Sequence, residues 1–206
     1  VDEEGRELAV FRENIPVGRA FALKERKDIL LTAPVAWNKL YPTAFFRETG
    51  LAYPSRVWYE DIRTTPKLMA LARRMVFLGD IGYNYLQRQG SIMNSGKVAR
   101  NVEIIEAFDD ILPWFREHGL FAEYRQELEH LTVAHILLTS SVRVLRMDHK
   151  NPLLRKFRAY VEREFPTYRG NPYNKTHFTR NQKIALWLVE RRWYGAAALA
   201  FRVKGS

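Results

Sequence analysis

Apolar positions change their spacing about halfway along this chain. Up to residue 95, short apolar runs alternate with Gly, Pro and polar residues, whereas beyond it apolar residues recur every three or four positions. Short runs bounded by turn residues are typical of strands and loops, and a spacing of three or four is typical of amphipathic helices. The pattern therefore predicts an α/β part over residues 1–95 and an all-α C-terminal helical extension over residues 96–206.

The first part contains short elements of both kinds. A helix is predicted over residues 44–48, because Pro42 precedes it and Gly50 ends it. A second helix is predicted to begin near Asp61, since apolar residues then recur at helical spacing and Pro66 is tolerated only close to a helix start. Strand-like runs occupy residues 8–11, 36–41 and 81–86.

The second part is predicted to be a set of packed helices. Their apolar spacing places them over about residues 98–115, 121–145, 152–164 and 180–203. The first two are expected to form a hairpin around Gly119, and Pro113 is expected to kink or end the first.

The composition limits the compartments in which the protein could reside and the kinds of site that it could contain. The 206 residues include no cysteine, which excludes disulfides and thiolate metal sites and suits a reducing cytosol. The polar, acidic start of the sequence does not have the pattern of a signal peptide. The most apolar segment, residues 184–203, carries four charged residues, which are costly inside a bilayer. We expect a cytoplasmic protein, and the sequence leaves open a peripheral association with the inner membrane face.

The net charge of +10 is concentrated at the C-terminal end. Residues 147–206 hold 13 Lys and Arg against 4 Asp and Glu. Such a charge favours phosphates, acidic lipid headgroups or nucleic acid, without choosing among them. The basic, aromatic run Arg191-Arg192-Trp193-Tyr194 suits a helix lying on a membrane surface, and equally a packed helix with a cationic outer face. A basic helical binding module for nucleic acid or an acidic membrane is therefore the alternative function, although no helix-turn-helix or RNA-binding signature supports it.

The adjacent carboxylates Glu60 and Asp61 are the candidate catalytic groups. At the start of a helix a carboxylate commonly accepts hydrogen bonds from free backbone N–H groups. The same position could hold a base that removes a proton from a hydroxyl. The residues alone leave both roles open.

Other kinds of catalytic centre lack support. The five histidines, all beyond residue 117, show no convincing metal-ligand spacing. No Ser-His-Asp set, phosphate-binding loop or dinucleotide fingerprint occurs. Hydrolase, NTPase and dehydrogenase functions are accordingly not favoured.

An ordered series of motifs carries a family resemblance. The motifs are Trp37-Asn38-Lys39-Leu40-Tyr41, Tyr59-Glu60-Asp61, Val76-Phe77-Leu78-Gly79-Asp80 and a polar run from Tyr83 to Ser95. Their order, spacing and residue types resemble the second half of the catalytic domain of bacterial family 2 glycosyltransferases, which have the GT-A fold. The resemblance implies transfer of a sugar from a nucleotide-sugar donor to a saccharide or lipid-linked acceptor, in cell-surface polysaccharide or glycolipid assembly, with no nucleic acid partner.

The resemblance also implies roles for individual residues. Asp61 would be the base that deprotonates the acceptor hydroxyl, with Glu60 beside it, and the hydroxyl would displace the diphosphate with inversion. Trp37, Asn38 and Lys39 would form part of the acceptor site, in which Trp37 packs with Tyr41 while the polar pair Asn38 and Lys39 faces the cleft. Arg88 and Ser91 resemble a loop that closes near the donor phosphates, although a solvated surface turn explains them as well.

One essential element of that family is missing from this sequence. The family holds a divalent metal, Mg or Mn, through an Asp-x-Asp motif upstream of the matching region, and no such motif occurs here. We expect the metal ligands and the nucleotide-binding half to lie in a preceding segment, so that this chain has no metal site and is inactive alone.

Overall fold

The structure is a computed structural model that describes residues 1–10, 15–87 and 98–203. The chain divides into two compact units. The N-terminal unit comprises the described residues of Val1–Ser55 and Glu60–Lys97, and the helical unit comprises those of Arg56–Tyr59 and Val98–Ser206. The predicted boundary between residues 95 and 96 falls outside the described residues.

The N-terminal unit contains few regular elements. Its strands are β1 (Ala20–Phe21) and β2 (Met75–Val76), which pair antiparallel with Ala20 opposite Val76. Its α-helices are α1 (Thr43–Thr49) and α2 (Glu60–Leu71). Short 3₁₀ turns occupy Leu23–Glu25, Lys27–Leu31 and Ala36–Asn38.

The predicted α/β class with a partial GT-A fold is wrong. Apart from β1, β2 and an isolated bridge between Val17 and Phe77, no strand occurs in residues 1–10, 15–87 or 98–203, and most of the regular structure is helical. A strand needs a neighbour for its backbone N–H and C=O groups. The predicted strand at 36–41 instead begins as a 3₁₀ turn, in which Lys39 N–H donates to Ala36 at 3.3 Å. Residues 8–10 and 81–86 are likewise outside any strand.

The helices predicted over residues 44–48 and from near Asp61 are confirmed in kind, whereas the helix-compatible pattern of residues 21–31 forms only short 3₁₀ turns. Gly50 follows α1 with a φ of 65° and donates its N–H to Phe46 at 3.0 Å, so that glycine's freedom at positive φ ends the helix. Helix α2 begins at Glu60 and places Asp61 in its first turn. Leu68 of α2 is fully buried, together with Leu23 and Leu30 from the 3₁₀ turns.

The helical unit is an array of helices. After a 3₁₀ turn at Val98–Val102, they are α3 (Glu103–Glu117), α4 (Arg125–Thr132), a π-helix (Val133–Ser140), α5 (Ser141–Leu145), α6 (Leu153–Glu164), α7 (Pro172–Thr176), α8 (Arg180–Glu190) and α9 (Tyr194–Val203). A further 3₁₀ turn lies at Tyr168–Gly170. Phe108, Phe115 and Phe157 are fully buried at its centre.

The helix predictions for this unit are confirmed at α6 and wrong at the C-terminal end. Helix α3 continues through Pro113 to Glu117, so the proline does not end it. The helix predicted over 152–164 is confirmed as α6. The single helix predicted over 180–203 is wrong, because Arg192 adopts a φ of 60° and separates α8 from α9. Within the described helices, none is both long and apolar enough to cross a bilayer.

Candidate functional site

The start of α2 presents the two candidate catalytic carboxylates differently. Glu60 is exposed, whereas Asp61 is half-buried and its Oδ1 accepts the N–H of Ile62 at 2.7 Å. Within residues 1–10, 15–87 and 98–203, the second oxygen of Asp61 has no hydrogen-bond donor or cation as a partner. The carboxylate is therefore held at the positive end of the helix dipole with one oxygen available to a ligand.

Hydroxyl side chains join α2 to the segment that precedes it in the same unit. The Tyr53 and Thr65 hydroxyls lie 3.1 Å apart, and Thr64 donates to the carbonyl of Ala52 at 3.3 Å. Burial and the neighbouring Tyr53 hydroxyl raise the pKa of Tyr41. These contacts fix α2 against residues 52–53. Sequence reasoning missed them, although the pair Thr64-Thr65 in an otherwise apolar helix face was a visible signal.

Trp37 belongs to an exposed aromatic group. Its ring stacks on Tyr83 with centroids 5.1 Å apart and on Tyr85 at 5.3 Å. Tyr83 remains 52% exposed and the other two rings 36% each, so much of this surface is open to solvent. Such a surface offers flat apolar faces bordered by hydroxyl groups.

The ammonium group of Lys39 donates hydrogen bonds within its own segment. Its Nζ donates to the carbonyls of Ala33 at 2.7 Å and Val35 at 3.0 Å, and to Asn38 Oδ1 at 2.7 Å. An ammonium group has three N–H donors, so these contacts use its full capacity. In this structure Lys39 and Asn38 stabilise the turn that follows Pro34. Arg88 and Ser91, the predicted donor-side residues, lie outside the described residues.

A half-buried polar network in the helical unit was also missed by sequence reasoning. Arg143 donates to the Tyr59 hydroxyl at 2.9 Å and to Asn101 Oδ1 at 3.3 Å. Burial raises the pKa of Tyr59, and the charge of Arg143 opposes that rise. Nearby, Glu103 accepts the Trp58 N–H at 2.8 Å and pairs with Arg100. Residues 56–59 thus belong to the helical unit and are held to it by these hydrogen bonds.

The buried His130 and the half-buried His135 have structural surroundings. His130 is 5% exposed and its Nδ1 lies 2.7 Å from Asn174 Oδ1. Burial lowers the pKa of His130, and the hydrogen bond to Asn174 opposes this only in part. Burial also lowers the pKa of His135, to about 4. Throughout the described part of the chain, no group of three or more metal-ligating side chains occurs.

Comparison with known proteins gives a partial match. The processive diacylglycerol beta-glycosyltransferase of Mycoplasma genitalium is 27% identical over 88 residues, which cover 43% of this chain and 26% of that protein. This chain thus spans about a quarter of that relative's length. No family model matches the chain, and no solved structure matches it. The similarity supports a relationship to glycosyltransferases in general, but it does not identify family 2 or the GT-A fold.

Proposed function

We propose that this chain is part of an inverting glycosyltransferase, similar to family 2 enzymes in its acceptor side, and that Asp61 is its catalytic base. The observation that carries the proposal is the 88-residue similarity to a processive diacylglycerol beta-glycosyltransferase. The geometry of Asp61 is compatible with the role, because one carboxylate oxygen is engaged by the Ile62 N–H and the other has no partner in the described structure.

The reaction assigned to Asp61 is a single displacement. The free carboxylate oxygen accepts the proton of an acceptor hydroxyl, and the oxygen of that hydroxyl forms a bond to the anomeric carbon of the donor sugar. The bond from that carbon to the nucleoside diphosphate breaks, and the diphosphate leaves with the electron pair. Glu60, exposed one residue earlier, adds negative charge beside the base without being required for proton transfer.

The expected divalent metal does not fit the described part of this chain. Its residues include no group of three His, Asp or Glu side chains that could hold an Mg or Mn ion. We therefore derive no step through a metal, and any ligands for it would have to come from elsewhere in the enzyme.

We propose a lipid or saccharide hydroxyl as the acceptor and a nucleotide-sugar as the donor, in glycolipid or surface polysaccharide assembly. The name of the relative includes diacylglycerol, which favours a lipid as the acceptor here. The exposed rings of Trp37, Tyr83 and Tyr85 provide an apolar surface on which an acceptor could stack. We place such an enzyme in the cytoplasm at the inner membrane face, where both substrates would be accessible.

The test measures nucleoside diphosphate released by the full product of the gene. UDP- and GDP-sugars are offered with diacylglycerol vesicles or with oligosaccharides, and sugar transfer is followed by mass spectrometry. Replacement Asp61→Asn should lower kcat by about a hundredfold or more and leave the acceptor KM nearly unchanged, because only proton removal is lost.

Two carboxylate variants serve as controls. Glu48→Gln removes an exposed carboxylate on α1, and Glu60→Gln removes the neighbour of the base. Both should retain most of the activity. Unchanged transfer by Asp61→Asn would show that Asp61 is not the base, and absence of transfer to every acceptor would reject the glycosyltransferase function.

A further inference from the structure

A cavity of about 300 Å³ opens in the helical unit between α6 and the turn that joins α8 to α9. Its lining residues are Arg155, Arg158, Ala159, Glu162, Arg192 and Tyr194. The volume is at the lower end of the range for small-molecule sites. Three guanidinium groups and one carboxylate surround it, so its lining carries a net positive charge.

The negative charge of Glu162, the carboxylate in this lining, is already balanced by neighbouring arginines. Arg158 donates through Nε to Glu162 Oε1 at 3.0 Å and through Nη1 to the carbonyl of Glu190 at 2.6 Å. Arg169 lies 3.5 Å from the same Glu162 oxygen. Among the residues that the structure describes, the guanidinium groups of Arg155 and Arg192 form no salt bridge or hydrogen bond. Two positive charges are therefore available at the cavity.

Tyr194 lines the cavity through the rest of its side chain or its backbone. Its hydroxyl is buried, without a hydrogen-bond partner in the described structure, and is not exposed to the cavity. Tyr194 is also the first residue of α9, where the helix dipole favours a negative charge.

The backbone at Arg192 provides a fourth observation. Its φ of 60° is a left-handed conformation that non-glycine residues adopt at a cost. This conformation ends α8 and starts α9 with Arg192 and Tyr194 both at the cavity. Strain at a residue that lines a cavity is typical of binding sites.

We propose that this cavity binds a phosphate group, either on a soluble phosphate compound or in the headgroup of an acidic phospholipid. The planar donors of Arg155 and Arg192 match phosphate oxygens. The proposal concerns the helical unit alone and stands independently of the role assigned to Asp61.

The first experiment uses inorganic phosphate and pyrophosphate as probes. Each is titrated into the 206-residue chain by calorimetry at low salt, with chloride at equal ionic strength as the reference. The double variant Arg155→Gln/Arg192→Asn should weaken binding by about tenfold or more, because two charge-assisted contacts are lost. Asparagine at 192 is chosen since it tolerates left-handed backbone.

A matched control removes the same charge elsewhere. The variant Arg146→Gln/Arg180→Asn changes two exposed arginines of the helical unit that do not line the cavity. It should bind phosphate like the unaltered chain. Circular dichroism of every variant establishes that the helices are retained.

The second experiment separates the two sources. Vesicles of phosphatidylcholine alone, or with phosphatidylglycerol or phosphatidic acid, are floated with each variant. Binding of the soluble probes that depends on the cavity residues supports a soluble ligand, and retention only on the acidic vesicles, lost in the cavity variant but not in the control, supports a headgroup. The proposal is overturned if neither probe nor vesicle binds, or if the control variant loses as much binding as the cavity variant.

Discussion

The guanidinium group of Arg143 donates a 2.9 Å hydrogen bond to the hydroxyl of Tyr59, 84 positions earlier in the chain. Tyr59 in turn donates to Asn101 Oδ1 at 3.3 Å, and Arg143 reaches the same oxygen. Three segments of the helical unit are thereby joined around the half-buried Tyr59 hydroxyl. Tyr59 also adopts a φ of 64°, which the surrounding contacts must hold in place.

Removing that hydroxyl should destabilise the helical unit. Tyr59→Phe leaves Arg143 without one of its acceptors and Asn101 without one of its donors, at an expected cost of about 1–3 kcal/mol in the free energy of unfolding. Urea denaturation followed by circular dichroism measures the change. Tyr83→Phe, a half-exposed tyrosine in the N-terminal unit, is the control and should alter stability by well under 1 kcal/mol. Equal effects of the two variants would contradict the network's importance.

The turn after α3 should depend on glycine at position 119. Gly119 has a φ of 70°, and a Cβ placed there would meet no atom within 4 Å, so any cost of Gly119→Ala is backbone strain. We expect a loss of about 1 kcal/mol in the free energy of unfolding. Gly170→Ala is the matched control, because its surroundings are equally open and its φ is not positive. Thermal melts of both variants should differ, and a neutral Gly119→Ala would show that the turn relaxes.

The exposed aromatic group should affect substrate binding more than stability. Under the proposed function, Trp37→Ala removes the ring that stacks on Tyr83 and Tyr85, and the acceptor KM should rise several-fold while kcat changes little. Trp37→Phe should restore part of the binding. Leu40→Ala, which truncates a side chain that is 93% exposed in the same segment, should leave KM unchanged. A fall in kcat alone would place Trp37 outside the acceptor site.

Acid should weaken the helical unit through the half-buried His135. Burial lowers the pKa of His135 to about 4 from an ordinary value of 6.5, so below pH 6.5 the unfolded chain binds a proton that the folded chain does not. The stability contributed by the neutral side chain is therefore complete above pH 6.5 and is lost as the pH falls towards 4.

Urea midpoints between pH 7 and 5 check this prediction, since most carboxylates titrate lower. His135→Gln should flatten the dependence of the midpoint on pH, whatever its effect at pH 7. His118→Gln, which alters an exposed histidine, should not flatten it. An unaltered slope in His135→Gln would refute the assignment.

Helices could be predicted here because their apolar spacing is a local property. The hydrogen bonds of α3 and α6 close within the segment, and their buried residues, such as Phe108 and Phe157, recur at the predicted spacing. Strands could not, because a strand depends on a partner distant in sequence. The apolar and aromatic run at 81–86 contains Tyr83 and Tyr85, whose rings pack on Trp37 outside any sheet.

The candidate site shows the same difference between features that depend on local sequence and features that depend on distant segments. Placing Asp61 in the first turn of a helix required only local signals, and the structure places it there. The network of Tyr59 with Arg143 and the cavity beside Tyr194 could not be predicted, since each joins segments that only the folded chain brings together. The break at Arg192 was missed because arginine is a good helix former and rarely adopts a positive φ.

The left-handed backbone at Arg192 allows a test of whether its strain is retained because it serves phosphate binding. Arg192→Gly permits the same left-handed backbone without the penalty of a Cβ, and should raise the free energy of unfolding by about 0.5–1 kcal/mol after the greater entropy of glycine in the unfolded chain is counted. The same change removes a guanidinium group from the cavity, so the affinity for pyrophosphate should fall. Arg191→Gly, at the neighbouring residue with a helical φ of −79°, is the matched control and should destabilise the chain. Denaturation and calorimetry on the three proteins measure both effects. A variant at 192 that gains stability and keeps its affinity would separate the strained backbone from phosphate binding.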